Sequence, residues 1–278
     1  MKKLRISAIS YLNTAPLMWD FEHEDVGSRF DIAYTLPSGC AEALRHGSAD
    51  IGIIPAAAYA SLPGLEILPD IAIASKQPVR SILLVSKVQL EEIRSVALDT
   101  SSMTSVALVK VLFSRWWGND VRFEPMAPKI DKMLATHDAG LVIGDPALRI
   151  DRSRYVTYDL AEEWIRLTGR PFVFAFWAIR RDALELASAT GDFDAVFRRS
   201  RDHGLAADSL QRIVDEWAPR LGLDPSEVSS YLTESIHYYL DAACLEGLRL
   251  FYRYAEECGG LPHTPELHFL DLAKSCIK

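Results

Sequence analysis

The stretch Val96-Ala97-Leu98-Asp99-Thr100-Ser101-Ser102-Met103-Thr104-Ser105 constrains this chain more than any other. A short apolar run with strand character stops at Asp99. Five of the next six residues carry a hydroxyl, and Val106 to Phe113 then reads as an apolar helix. A strand that turns directly into a helix belongs to a layered α/β architecture. The turn leaves the first N–H groups of the helix without partners, and the helix dipole adds partial positive charge there. A carboxylate or phosphate binds such a place without a Lys or Arg. Ser and Thr are also ordinary N-cap residues, but a cap needs one or two of them. Five point to a ligand site.

The same design recurs along the chain. Leu4 to Ile9 is a short strand, and Ser10-Tyr11-Leu12-Asn13-Thr14-Ala15-Pro16-Leu17 is a polar turn entering a helix, with Pro16 in its first turn. Strands are expected at Asp31–Leu36, Asp50–Ile54, Leu65–Leu68, Ile71–Ala74 and Ser81–Val85. Strand Val96–Leu98, helix Thr104–Trp117, strand Val121–Glu124, helix Lys129–Thr136 and strand Gly140–Ile143 follow, and then the turn Gly144-Asp145-Pro146-Ala147. This alternation predicts parallel sheets flanked by helices, with ligands outside the carboxyl ends of the strands. Asn13, Ser102 and Asp145 fall there. Phe172 to Ile179 is a wholly apolar strand, and the region from Ala183 onward is helical, with Asp224-Pro225-Ser226-Glu227 as a capping box. The aromatic residues on the last helix, expected from about Tyr239 to Cys258 (Tyr238, Tyr239, Phe251, Tyr252, Tyr254), are expected to pack against the sheet.

Composition narrows the function. A net charge of −8 excludes nucleic acid as the main partner, since phosphate neutralisation needs a basic face. Arg198, Arg199 and Arg201 sit in mixed-charge surroundings and read as a solvated face. Met1-Lys2-Lys3 is followed by a run broken at Ser7 and Ser10 with no cleavage site, and no apolar run nears the ~18 residues of a membrane span. A cytoplasmic protein with no membrane partner is expected. Cys40, Cys244, Cys258 and Cys276 are scattered and read as reduced thiols, and the seven His residues show no ligand spacing, so no metal is expected.

Six blocks in register carry a closer resemblance. They are Ser10-Tyr11-Leu12-Asn13-Thr14 with Pro16-Leu17; Pro78-Val79-Arg80-Ser81; Ser86-Lys87-Val88; Val96 to Ser102 with Thr104-Ser105; Ile143-Gly144-Asp145-Pro146-Ala147; and Asp159-Leu160 with Glu163-Trp164, Leu167-Thr168-Gly169 and Pro171 to Phe174. Together they closely resemble the chorismate dehydratases of the futalosine route to menaquinone, from about Arg5 to Arg180, with a weaker helical match beyond. The resemblance implies a two-lobed α/β fold of the type II periplasmic-binding-protein kind. Its mixed sheets would be flanked by helices, with the ligand cleft between the lobes and a helical C-terminal region. Lobe 1 would be residues 1–86 plus 178–278, and lobe 2 residues 87–177.

The resemblance also implies dehydration of chorismate to 3-[(1-carboxyvinyl)oxy]benzoate, without a cofactor. The implied catalytic residues are Asn13 and Asp145. Ser10, Tyr11, Ser81, Thr100, Ser101, Ser102, Thr104 and Gly144 would bind the substrate. The N–H groups and hydroxyls of Thr100-Ser101-Ser102 suit the stabilisation of charge on a substrate carboxylate. The base is either Asp145 or the substrate's own enolpyruvyl carboxylate, the latter being favoured. Asn13 can orient the substrate and cap its helix at once, and Asp145 also fits a turn or cap ahead of Pro146. Alternation along a strand lets only one of Arg80 and Ser81 face the cleft, and Ser81 is expected to. Two other readings remain open: the sister 1,4-dihydroxy-6-naphthoate synthase, and a non-catalytic solute-binding protein for a small carboxylate. Oligomeric state is not legible.

Overall fold

The computed structural model describes residues 3–118, 120–188 and 193–271, so Cys276 and the opening Met1-Lys2 lie outside it. Among the described residues, ten strands form two five-stranded sheets. The first has the order β2-β1-β3-β10-β4, with β1 Leu4–Ile9, β2 Phe30–Thr35, β3 Ile51–Pro55, β4 Leu65–Ser75 and β10 Phe172–Arg180. The second has the order β7-β6-β8-β5-β9, with β5 Ile82–Ser86, β6 Ser95–Asp99, β7 Arg122–Met126, β8 Ala139–Ile143 and β9 Val156–Asp159. The strand–turn–helix units supply the parallel pairs: β1 with β2 and β3, and β6 with β7 and β8. The remaining pairs are antiparallel, β10 with β3 and β4, and β5 with β8 and β9. Both sheets are therefore mixed, as the resemblance implied. β3, β5 and β8 are buried throughout, as strands covered on both faces must be.

Strand pairing departs from the expected lobe division at both ends. β5, placed with lobe 1, belongs to the second sheet, and Phe172 to Trp177, placed with lobe 2, pair entirely within the first. A strand that changed sheets partway would abandon its ladder hydrogen bonds. The chain crosses instead in residues 76–81 and 160–171. Leu65–Leu68 and Ile71–Ala74 form one strand rather than two, interrupted where Asp70 takes a positive φ of 66° after Pro69 and the register against β10 shifts. The helix from Thr104 is regular only to Leu112, widens into a π-turn over Phe113–Trp117 and ends at Gly118 in the left-handed region. β9 has no counterpart in the sequence reading, being short and only half-buried.

The C-terminal helices cover the first sheet and reach toward the second. Helix Phe193–Gly204 lies against the 3-10 helix Leu12–Met18 so closely that a Cβ on Gly204 would stand 2.1 Å from the Pro16 carbonyl oxygen. Trp177 and Phe197 pack edge-on beneath it at 5.0 Å between ring centroids. Phe172, Trp164 and Phe251 form a second buried aromatic cluster where helix Ala242–Glu257 meets β10. The Asp224 capping box is present, with Asp224 accepting from Ser226 N at 2.8 Å.

The crossing at residues 76–81 is held by one carboxylate. Asp159 is buried and accepts from Val79 N at 3.2 Å, Arg80 N at 2.6 Å, Ala161 N at 3.0 Å and Glu162 N at 3.2 Å. It caps helix Leu160–Thr168 and anchors Arg80, whose φ is +66°. Asp159→Ala removes a cap and strands the buried Val79 N–H and the half-buried Arg80 N–H. It is expected to lower unfolding free energy by roughly 3–5 kcal/mol, read from the urea midpoint.

Candidate functional site

A cleft with about 50 Å³ of enclosed space opens at the carboxyl ends of β1, β3, β6 and β8. Of the ten residues expected to form the site, six line it: Tyr11, Asn13, Ser81, Ser102, Thr104 and Gly144. Gly144 has φ +63°, and a Cβ there would lie 2.5 Å from the Tyr11 ring, so glycine is required for the two to meet across the cleft. Ser81 faces the cleft, whereas Arg80 Nη1 binds Ser230 Oγ at 3.0 Å and the Glu227 carbonyl at 3.4 Å.

The hydroxyl-rich turn uses much of its hydrogen-bonding capacity on the protein itself. Thr100 is exposed and its N–H pairs with the Met126 carbonyl. Ser101 gives both its N–H (2.8 Å) and its hydroxyl (2.6 Å) to Asp99 Oδ1, and Ser102 N donates to the Asp99 carbonyl. Thr104 Oγ1 accepts from Ala57 N at 3.1 Å and donates to the Phe174 carbonyl at 3.0 Å, joining the two sides at the base of the cleft. The expected donor set of Thr100, Ser101 and Ser102 N–H groups is thus occupied. Met103, Thr104 and Ser105, at the start of helix Thr104–Leu112, also line the cleft. Ser10 is exposed, bonds the Thr35 carbonyl and borders a neighbouring groove with Tyr34 and Trp217.

Asp145 sits at the edge of the cleft. Its Oδ1 accepts from Leu12 N at 3.0 Å, so it caps the facing 3-10 helix rather than its own. Burial pushes its pKa up to about 6, opposed by the Leu12 N–H and by Arg149. Burial likewise raises the Tyr11 phenol and the Asp99 carboxyl, both countered by Ser101. Among the described residues, the cleft lining contains no charged side chain; its apolar wall includes Ile9, Ile73, Ile143 and Phe174.

Two features escaped the sequence reading. Phe174 and Ala175 line the cleft although their strand reads only as core. Tyr231, in the C-terminal helical region, donates its hydroxyl to Ser81 Oγ at 2.9 Å, a contact that no local motif announces. The expectation of no metal spacing also needs correcting. His237, Asp241 and Cys244 bring ligand atoms within 4.8 Å of one another, because the turn before helix Ala242–Glu257 folds back on it. Lys76 Nζ already occupies Asp241 Oδ2 at 2.6 Å, and Asp241 Oδ1 caps Cys244 N at 2.9 Å, so the positive charge at this cluster is the lysine's.

A chorismate dehydratase of Thermus thermophilus is 29% identical over 92% of this chain and 94% of its own length. A chorismate dehydratase of Campylobacter jejuni is 27% identical over 66% of each. A crystal structure of an Archaeoglobus fulgidus protein superimposes with a TM-score of 0.68 at 18% identity, covering 92% of this chain and 98% of that one. The periplasmic aliphatic sulphonate binding protein of Escherichia coli superimposes with a TM-score of 0.64 at 18% identity, covering 98% and 94%. These two likenesses bear out the expected binding-protein fold. The family described as menaquinone biosynthesis matches residues 4–257. The chain belongs to the menaquinone biosynthesis family.

Proposed function

We propose that the protein is a chorismate dehydratase, a carbon–oxygen lyase that converts chorismate to 3-[(1-carboxyvinyl)oxy]benzoate and water in the cytoplasm, without a cofactor. The observation that carries this reading is the make-up of the cleft: Asn13, Ser81 and a helix N-terminus set against an apolar wall. That combination suits a small cyclic carboxylate. The N–H groups of Met103, Thr104 and Ser105 would take the ring carboxylate, the apolar wall the ring, and the Asn13 amide the reacting region. The name borne by the two relatives supports the substrate. We take the two sheets, each with its helices, as the two lobes, divided at residues 76–81 and 160–171.

In the reaction, the ring C–H beside the enolpyruvyl ether breaks and its electron pair spreads through a ring double bond into the ring carboxylate. The neighbouring C–O bond then breaks, the hydroxyl leaves with the proton as water, and the ring becomes aromatic. Donors aimed at that carboxylate lower the barrier because charge grows there. We assign the base to the substrate's enolpyruvyl carboxylate. This is supported by a cleft lining without charged side chains and by the Leu12 N–H that engages Asp145. The protein's share is then orientation.

Purified protein incubated with chorismate and no added cofactor is expected to release an aromatic product, followed by absorbance and mass. Unchanged chorismate would sink the assignment, and tight binding without turnover would favour the solute-binding reading. Asn13→Ala should lower kcat by roughly 10²–10³ while leaving the melting temperature nearly unchanged.

Asp145→Asn separates the two bases. A modest loss of rate agrees with the substrate as base, and near-complete loss with chorismate still bound transfers the role to Asp145. The same variant has a stability signature. Because the folded-state pKa is raised, the folded protein holds its proton more readily than the unfolded chain. Stability is therefore fullest below the unfolded carboxyl value and declines as pH rises through about 6. At pH 8 the variant should be more stable than the parent by about 1–3 kcal/mol, a gap that closes toward pH 4.

A further inference from the structure

Ser81 and Tyr231 lie 150 positions apart and meet through buried hydroxyls 2.9 Å apart. Their neighbours meet as well: Arg80 Nη1 binds Ser230 Oγ at 3.0 Å. Two consecutive residues at the crossing thus grip two consecutive residues of the C-terminal region. The left-handed conformation of Arg80 turns its side chain toward Ser230, while Ser81 is directed into the cleft. Tyr231 does not line the cleft, so whatever it does to a bound ligand passes through Ser81.

We propose that Tyr231 is a positioning residue for the reaction: its hydroxyl donates to Ser81 Oγ and so directs the Ser81 proton into the cleft, toward the substrate. A serine hydroxyl has one proton and two acceptor sites. With one acceptor site occupied by Tyr231, the remaining hydrogen-bonding capacity of Ser81 faces the ligand. The phenol is a dependable donor, because complete burial raises its pKa well above the ordinary tyrosine value and keeps it neutral. A tyrosine that merely satisfied its own burial would not require its acceptor to be a cleft residue. This inference rests on the dehydratase reading and adds the C-terminal region to the catalytic apparatus.

The test is a double-mutant cycle with chorismate as substrate. Tyr231→Phe keeps the buried ring and is expected to lower kcat roughly tenfold, the equivalent of one hydrogen bond, with KM changed less than about threefold. Ser81→Ala lowers kcat at least as far, and adding Tyr231→Phe to it costs nothing more, since the phenol acts only through Ser81. An unchanged kcat in Tyr231→Phe, or multiplicative losses in the double variant, would overturn the proposal. If Tyr231→Phe does not fold, judged by circular dichroism, 3-fluorotyrosine placed at Tyr231 serves instead. It must shift kcat in the Ser81 protein but not in Ser81→Ala, and an equal or absent shift overturns the proposal. Wild-type protein that leaves chorismate untouched overturns both this inference and the dehydratase reading. Normal turnover with an unaltered Tyr231→Phe overturns this inference alone.

Discussion

Four backbone N–H groups, those of Val79, Arg80, Ala161 and Glu162, converge on the buried carboxylate of Asp159. That convergence decides where the chain passes from one sheet to the other. Burial pushes the Asp159 pKa up, and the Arg80, Val79 and Glu162 N–H groups, with the charge of Arg152, oppose the rise. Because Asp159 holds Arg80 in a conformation that a non-glycine residue seldom adopts, Arg80 and Ser81 point to different partners. Arg80 goes to Ser230, and Ser81 to the cleft and Tyr231. The position of the C-terminal helical region relative to the site follows from this one anchor.

The cleft shows how competition for hydrogen bonds relocates a binding site. A turn with five hydroxyls seems to offer a dense set of donors, yet a buried polar group takes whichever partner is nearest. Asp99, at the end of β6, takes the Ser101 N–H and hydroxyl, and its carbonyl takes the Ser102 N–H. Thr104 ties helix Ala56–Tyr59 to β10. The residues at the helix start that line the cleft are Met103, Thr104 and Ser105. Asp145 follows the same logic: it completes the N-terminus of a helix that faces it, and in doing so joins the two sides of the cleft.

Much of this was readable before any coordinates. The strand–turn–helix alternation is local, set by period-two and apolar runs, by Pro16, and by small hydroxyl residues at helix starts, and most strands lie within a residue or two of their expected bounds. β9 was missed because its burial comes from its neighbour β5 and not from its own composition. Which sheet β5 and β10 join was not legible because sheet membership is a property of pairs of strands, which no single stretch contains. Ser10 and Thr100 share a turn with true cleft residues but face outward, where sequence spacing alone does not distinguish them.

The sequence by itself determined the class of fold and the two facing mouths at Ser10–Leu17 and Val96–Ser105. These follow from local propensity and from which side chains are present at all. Only the tertiary structure decided which of those groups are free to meet a ligand. It turned Asp145 toward Leu12, occupied Ser101 with Asp99, and brought Tyr231 from 150 positions away to Ser81. The physical reason is the same in each case. A hydrogen bond between distant residues depends on packing that forms only when both sheets and the C-terminal helices are assembled, and burial then makes that pairing obligatory.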